Sequence, residues 1–120
     1  KGYIPAGGLW GGSTLPAGAF RTWRRWSHKG NYFYGELAGR LAPNYFNDIT
    51  APIISYVFTD DPMNDVKTAR DFLQFMPNAR GEVRLRKPAE LGVRALGHQN
   101  LYRKNNEAAW AEIWRAAIEG

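Results

Sequence analysis

The most informative run in the chain is Ile49-Thr50-Ala51-Pro52-Ile53-Ile54-Ser55-Tyr56-Val57-Phe58, a nearly continuous series of β-branched, apolar and aromatic residues. Such a run is typical of a strand that is buried on both faces, as the strands of parallel sheets are. It stops at Thr59-Asp60-Asp61-Pro62, whose aspartates and proline are typical of a turn. We therefore predict a buried parallel strand that ends at two adjacent carboxylates.

Beyond this turn the sequence predicts a helix and then a second strand. Apolar residues recur at helical spacing up to Pro77-Asn78, and they are Val66, Ala69, Phe72, Leu73 and Met76. Glu82–Arg86 then alternates polar and apolar residues, as an edge strand with one solvated face does. This βαβ order predicts the α/β class with a parallel sheet. Two strands cannot complete such a sheet, so we expect residues 49–120 to be part of a larger core.

Amphipathic helices are predicted on both sides of this unit. Phe20, Trp23 and Trp26 recur every three residues after Pro16, which indicates a short helix that buries aromatic side chains. We interpret residues 1–48, which are rich in aromatics and glycine, as a lid or insertion.

The last element is a predicted helix over residues 106–119 that packs on the sheet. Asn105 or Asn106 can cap it, and Glu107 lies in its first turn. Its apolar stripe consists of Trp110, Ile113, Trp114, Ala117 and Ile118. If these residues were the whole molecule, uncovered apolar faces and strand edges would favour self-association, so we expect a homo-oligomer in that case.

The composition indicates a folded protein without redox chemistry. Hydrophobic residues make up 44% of the chain and charged residues 22%, a balance that supports a packed core. The absence of cysteine excludes disulfides, cysteine nucleophiles and thiolate metal sites, and is compatible with a reducing cytoplasm, where we expect the protein. No apolar run has the length of a membrane span. We expect neither a metal nor a cofactor.

The net charge of +5 raises the possibility of nucleic-acid binding. Between positions 79 and 104 the sequence contains seven basic residues and only two acidic ones. The basic residues are Arg80, Arg84, Arg86, Lys87, Arg94, Arg103 and Lys104, and the acidic residues are Glu82 and Glu90. Their spacing over a strand and several loops favours a solvated face over a groove-reading surface. Steering of an anionic substrate is a further interpretation of the same charge.

The residues able to carry acid–base chemistry are few. The chain has two histidines, of which His28 lies at the polar end of the aromatic helix and His98 follows Gly97 in a loop before the terminal helix. A loop histidine is the better catalytic candidate. Asp60 and Asp61 lie at the carboxyl end of the predicted buried strand, where open parallel sheets gather catalytic groups. An ordinary turn or helix cap is the alternative interpretation of both aspartates.

The run from Ala51 to Pro62 resembles the late strand of α/β-hydrolases that delivers the acid of the catalytic triad, and Gly97-His98 resembles their triad histidine. Three further stretches resemble predicted α/β-hydrolases that are similar to serine aminopeptidases and esterases: Gly2-Tyr3-Ile4-Pro5, Pro16-Ala17-Gly18 with Trp23 and Trp26, and Leu91–His98. The resemblance implies that Asp61 is the triad acid, with Asp60 as the alternate, and that His98 is the general base. It also implies hydrolysis of a small-molecule ester or amide.

The chain departs from this family in its nucleophile. No Gly-x-Ser-x-Gly is present, and the nearest approach is Gly11-Gly12-Ser13-Thr14-Leu15, which no buried strand precedes. Ser27 and Ser55 fit no better, because they lie beside the basic helix and inside the predicted strand. We expect the nucleophile in an N-terminal segment outside these 120 residues, so the chain alone should be inactive. The alternative hypothesis is a protein-interaction module without catalysis. A nucleic-acid-binding domain is a less favoured alternative.

Overall fold

The computed structural model describes residues 2–7 and 12–119. The chain forms two compact units, Lys1–Asn44 and Tyr45–Gly120. Its helices and strands are, in chain order, β1 (Tyr3–Ile4), β2 (Leu15–Pro16), α1 (Ala17–Ser27), β3 (Pro52–Phe58), α2 (Val66–Leu73), β4 (Arg80–Arg86) and α3 (Trp110–Glu119). Short 3₁₀ helices connect them at Tyr34–Glu36, Phe46–Asp48, Pro88–Leu91, Asn100–Tyr102 and Lys104–Ala109. The class is mixed α/β.

In the first unit, α1 begins where the sequence predicts it. Pro16 precedes the helix, as its fixed φ allows, and β2 pairs antiparallel with β1 directly before it. After the helix the chain folds back, and the Trp26 ring contacts Tyr32 and Phe33 with centroid distances of 5.5 and 5.3 Å. Trp26 of α1 therefore packs within this unit, whereas Trp23, which the spacing predicted to be buried with it, is 43% exposed.

The same unit is tied together by one buried carboxylate, Glu36, which is only 8% exposed. Arg25 donates to both of its oxygens, from Nε at 2.8 Å and from Nη2 at 3.0 Å, and Trp26 Nε1 donates at 3.1 Å. Lys29 adds a further positive charge, since its Nζ lies 3.7 Å from Glu36 Oε1. Hydrogen bonds from Arg25 and Trp26 lower the pKa of Glu36 from 4.5 to about 2.

In the second unit, β3 and β4 form a parallel pair joined through α2, which is the βαβ order predicted from the sequence. The register runs from Pro52 opposite Arg80 to Phe58 opposite Arg86. Asp65 caps α2, since its side chain accepts from the Thr68 backbone N–H at 2.7 Å. The helix ends at Leu73, earlier than its apolar pattern predicts, although Phe75 and Met76 beyond its end are still buried.

Burial of β3 is less complete than its sequence predicts. Only Val57 and Phe58, at the carboxyl end, are buried, and the strand is half-buried from Ile53 to Tyr56. The physical reason is that among the described residues the sheet has two strands, so part of β3 has no neighbour to cover it. The core lies at the carboxyl end instead and comprises Phe58, Leu91, Val93, Leu96 and Ala109.

The terminal helix α3 is shorter than predicted, because Lys104–Ala109 is a 3₁₀ helix. Ile113, Ala116 and Ala117 line an open groove of about 410 Å³ with residues of β3, which places this side of the helix beside the sheet. Trp114 and Ile118 of the same apolar stripe are 68% and 66% exposed. Within the described residues, no helix combines the length and apolarity needed to cross a membrane.

The core predicts a sharp contrast between two leucines of the second unit. Leu96 is fully buried, whereas Leu85 of β4 is 50% exposed. We expect Leu96→Ala to lower the free energy of unfolding by about 2–5 kcal/mol. The matched Leu85→Ala change should cost less than about 1 kcal/mol, and urea denaturation measures both. Equal losses would show that the core is not centred on Leu96.

The Glu36 cluster predicts acid sensitivity. Because the folded-state pKa is depressed, the stabilisation is fully present above pH 4.5 and is lost as the pH falls towards 2. Wild-type protein should therefore be more stable than Glu36→Gln at neutral pH, and the difference should shrink as the pH is lowered from 5 to about 2. Urea denaturation followed by tryptophan fluorescence measures it. Glu119→Gln, at an exposed position of α3, is the control, and a difference independent of pH would contradict the assignment.

Candidate active site

The site begins at the turn after β3. The Thr59 backbone N–H donates to the Arg86 carbonyl at 3.0 Å, so the ladder of the parallel pair continues one residue past the strand. The Asp61 N–H then donates to the Phe58 carbonyl at 3.0 Å and closes a turn. Asp60 and Asp61 therefore lie at the carboxyl end of a parallel strand, as the sequence predicts.

The second part of the site is the loop that carries His98. The side chains of Val93 and Leu96 are buried in the core and fix the loop on both sides of Arg94 and Ala95. Gly97 has a φ of +56°, in the left-handed region that favours glycine. The backbone conformation thus favours a glycine directly before His98, and this turn brings the chain to the end of β3, where the Asp60 side chain accepts from the Gly97 N–H.

The structure brings Asp61 and His98 together. His98 Nδ1 lies 3.0 Å from Asp61 Oδ2 and 3.2 Å from Oδ1. The Asp61 side chain is 7% exposed and the imidazole 33% exposed. A buried carboxylate on Nδ1 selects the tautomer that carries its proton there, which leaves Nε2 as the nitrogen able to exchange protons with another group.

The surroundings of Asp61 favour the ionised form of its carboxyl group. Burial would raise the pKa of its carboxyl, but the hydrogen bond from His98 and those from two backbone N–H groups outweigh burial and hold the pKa below its ordinary value. These N–H donors belong to Met63, at 2.8 Å, and Asn64, at 3.2 Å, and both bond to Oδ1. The carboxylate is fixed by the turn and is therefore pre-oriented towards the imidazole.

Asp60, the alternate acid, occupies a different place. Its Oδ2 accepts hydrogen bonds from the backbone N–H groups of Leu96, at 2.8 Å, and Gly97, at 3.0 Å. Of the two adjacent aspartates, Asp61 therefore contacts the ring of His98, whereas Asp60 contacts the backbone that precedes it.

Two asparagines, which the sequence analysis did not predict as site residues, also belong to the site. Asn64 Nδ2 lies 3.5 Å from His98 Nδ1. Asn106, considered as a helix cap, instead donates from Nδ2 to the carbonyls of Ala95, at 3.1 Å, and Asn100, at 2.9 Å. No local sequence pattern predicts either contact, because both contacts form between segments that are distant in the sequence.

The second histidine and the three serines lie away from the contact between Asp61 and His98 in the sequence, and each has a local environment of its own. His28 follows α1, and its backbone N–H donates to the Arg24 carbonyl at 3.3 Å. Ser27 Oγ donates to the Trp23 carbonyl at 2.9 Å, a local helix bond, and Ser55 lies in the middle of β3 opposite Val83. Ser13 follows β1 in the first unit, and Gly11 of its Gly-Gly-Ser run lies outside the described residues. None of these serines lies at the turn of a strand that feeds a helix in the manner of a nucleophile elbow.

Two further observations concern metal ligands and the predicted charged face. In residues 2–7 and 12–119, no three or more His, Asp or Glu side chains are grouped as metal ligands would be. Several basic residues of the predicted charged face form ion pairs, namely Arg84 with Glu82, Arg86 with Glu112 and Lys104 with Glu107. Such pairs reduce the positive charge available to a phosphate backbone.

Comparison with known proteins adds no relative: no protein-family model, curated protein or solved structure matches this chain. The resemblance to α/β-hydrolases therefore stays a prediction.

The Asp61–His98 contact predicts a tautomer. Nitrogen NMR of the neutral imidazole should show His98 protonated on Nδ1, because the ionised carboxylate accepts that proton. In Asp61→Asn the amide can donate to Nδ1, and the proton should move to Nε2. His28, the other histidine, is the internal reference and should not change. An unchanged His98 tautomer in Asp61→Asn would contradict the contact.

Proposed function

We propose that this chain supplies the acid and the histidine of a serine-type α/β-hydrolase. The observation that carries the proposal is the placement of both Asp61 oxygens within 3.2 Å of His98 Nδ1, at the carboxyl end of a parallel strand. The acid precedes the histidine, and a helix and a strand separate them, which is the order expected of α/β-hydrolases.

In this proposal His98 Nε2 accepts the proton of a serine hydroxyl as the serine oxygen forms a bond to the acyl carbon. Asp61 holds the imidazole in the required tautomer and stabilises the imidazolium. His98 then returns the proton to the leaving group as its bond to the acyl carbon breaks. Water, deprotonated by the same nitrogen, hydrolyses the acyl-enzyme and restores the serine.

The serine and the donors of the oxyanion hole are proposed to come from sequence outside these 120 residues. The incomplete cover of β3 supports this, since Pro52–Tyr56 is a strand segment that is half-buried or exposed and has pairing on one side only among the described residues. Further strands of the same protein would bury it. The substrate is a small-molecule ester or amide.

For the segment of residues 1–48 we propose a role as part of a substrate lid. Its aromatic residues favour an apolar acyl or aryl group. The support is compositional, together with the packing of Trp26 on Tyr32 and Phe33, which makes the unit a compact aromatic element.

A second candidate function is that of an assembly module without catalysis. The observation that favours it is the exposed apolar surface around α3, where Tyr102 is 84% exposed and Trp114 68%. Such a module would form a stable stoichiometric complex and would not require His98. Assembly and catalysis therefore differ in their dependence on one imidazole.

The test is covalent labelling with a fluorophosphonate probe, read by mass spectrometry, on the full-length gene product and on the 120-residue chain. We expect an adduct on an upstream serine of the full-length protein and none on the chain alone. His98→Ala should slow labelling by about 100-fold or more, because a general base contributes that much to activation of a serine. His28→Ala, the matched control, should label at the wild-type rate.

Labelling of neither protein would overturn the serine mechanism and leave the assembly module as the better proposal. Labelling that does not change in His98→Ala would show that another group activates the serine. An adduct on Ser13, Ser27 or Ser55 in the chain alone would contradict the location proposed for the nucleophile.

A further inference from the structure

The loop that precedes His98 is bound by the Asp60 carboxylate through its backbone. One oxygen, Oδ2, accepts from two successive N–H groups, Leu96 at 2.8 Å and Gly97 at 3.0 Å. Successive N–H groups converge on one acceptor when a residue such as Gly97 takes a left-handed conformation, and its φ is +56°. Asp60 therefore binds the backbone up to the residue that directly precedes His98.

The other side of the same loop is bound by Asn106. Its amide donates to the carbonyls of Ala95 and Asn100, at 3.1 and 2.9 Å, and the residue is 5% exposed. Ala95 and Asn100 lie on opposite sides of His98 in the sequence. Two polar side chains from different elements therefore fix the backbone around the imidazole, one from the turn after β3 and one from the segment before α3.

We propose that Asp60 is a positioning residue for His98, an inference that rests on the proposed function for the catalytic role of the imidazole. Leu96 is fully buried, so removal of the acceptor would leave its N–H without a partner in an apolar setting. The loop would then rearrange to hydrate or re-pair that group. The His98 ring would then move away from the Asp61 carboxylate, because Asp61 is held separately by its own turn.

This role needs an acceptor oxygen, whereas the role of a triad acid needs a negative charge. Asparagine keeps an oxygen in nearly the same place and removes the charge, while alanine removes both. Asp60→Asn and Asp60→Ala therefore separate a backbone-binding role from an acid role. Asp61→Asn is the matched variant at the neighbouring position, where we expect charge to matter.

The experiment uses ¹⁵N-labelled 120-residue chain and measures amide exchange at Leu96 and Gly97 together with the His98 tautomer. In Asp60→Ala, exchange at both amides should rise by about tenfold or more and the Nδ1–H form should lose its dominance. In Asp60→Asn, exchange should change by less than about threefold and the tautomer should be retained. Asp61→Asn should show a third combination, in which both amides stay protected and the tautomer changes.

Unchanged exchange and tautomer in Asp60→Ala would overturn the inference. So would an Asp60→Asn variant that loses the tautomer while Asp61→Asn keeps it, because Asp60 would then be the acid. If Asp60→Ala fails to fold, the comparison of the two asparagine variants still decides between these roles.

Labelling of the full-length protein by the fluorophosphonate then tests the consequence for catalysis. We expect a rate within about threefold of wild type for Asp60→Asn and a loss of about tenfold or more for Asp60→Ala. Exchange and tautomer are read without a nucleophile, so absence of labelling in wild-type full-length protein would count against the proposed function alone.

Discussion

Parallel pairing of β3 with β4 determines where the groups of the candidate site lie. Because the two strands run in the same direction and in register, the turn after β3 and the connection after β4 leave the sheet at the same edge. The bond from Thr59 N–H to the Arg86 carbonyl extends this alignment beyond Phe58. A core of apolar residues covers the same edge and holds the later loop against it. Antiparallel pairing would send these segments to opposite ends.

Two neighbouring carboxylates then take different partners at this edge. The turn at Asp60 and Asp61 directs one carboxylate to backbone N–H groups and the other to an imidazole. Each interaction limits the freedom of the other, because the backbone bound by Asp60 carries the ring bound by Asp61. The hydrogen bond from His98 to the Asp61 carboxylate is charge-assisted, and such bonds are stronger than neutral ones.

Much of this arrangement could be predicted from the sequence, because it depends on local patterns. The β-branched run before Phe58, the helical spacing after Val66 and the alternation before Arg86 specify the βαβ order, and the position of Asp60 and Asp61 at a strand end follows from it. The pairing of Asp61 with His98 was an expectation from a resemblance, and the structure places them in contact. Their catalytic role stays a prediction.

What the sequence could not predict depends on contacts between distant loops. Asp60 and Asp61 have the same side chain, so only the turn geometry distinguishes their partners. Asn106 has the residue type of a helix cap, yet its amide reaches back to Ala95 and Asn100. The exposure of Trp114 was not predicted either, because an apolar pattern indicates a face that can be buried and does not say which segment covers it.

Asp61 and His98 are proposed as the acid–base pair of a serine hydrolase, and the decisive experiment is a crystal structure of the full-length protein with a fluorophosphonate adduct. We expect an adduct serine whose oxygen lies within about 3.2 Å of His98 Nε2, with Asp61 on Nδ1. An adduct serine out of reach of His98, or one that contacts a different base, would contradict it.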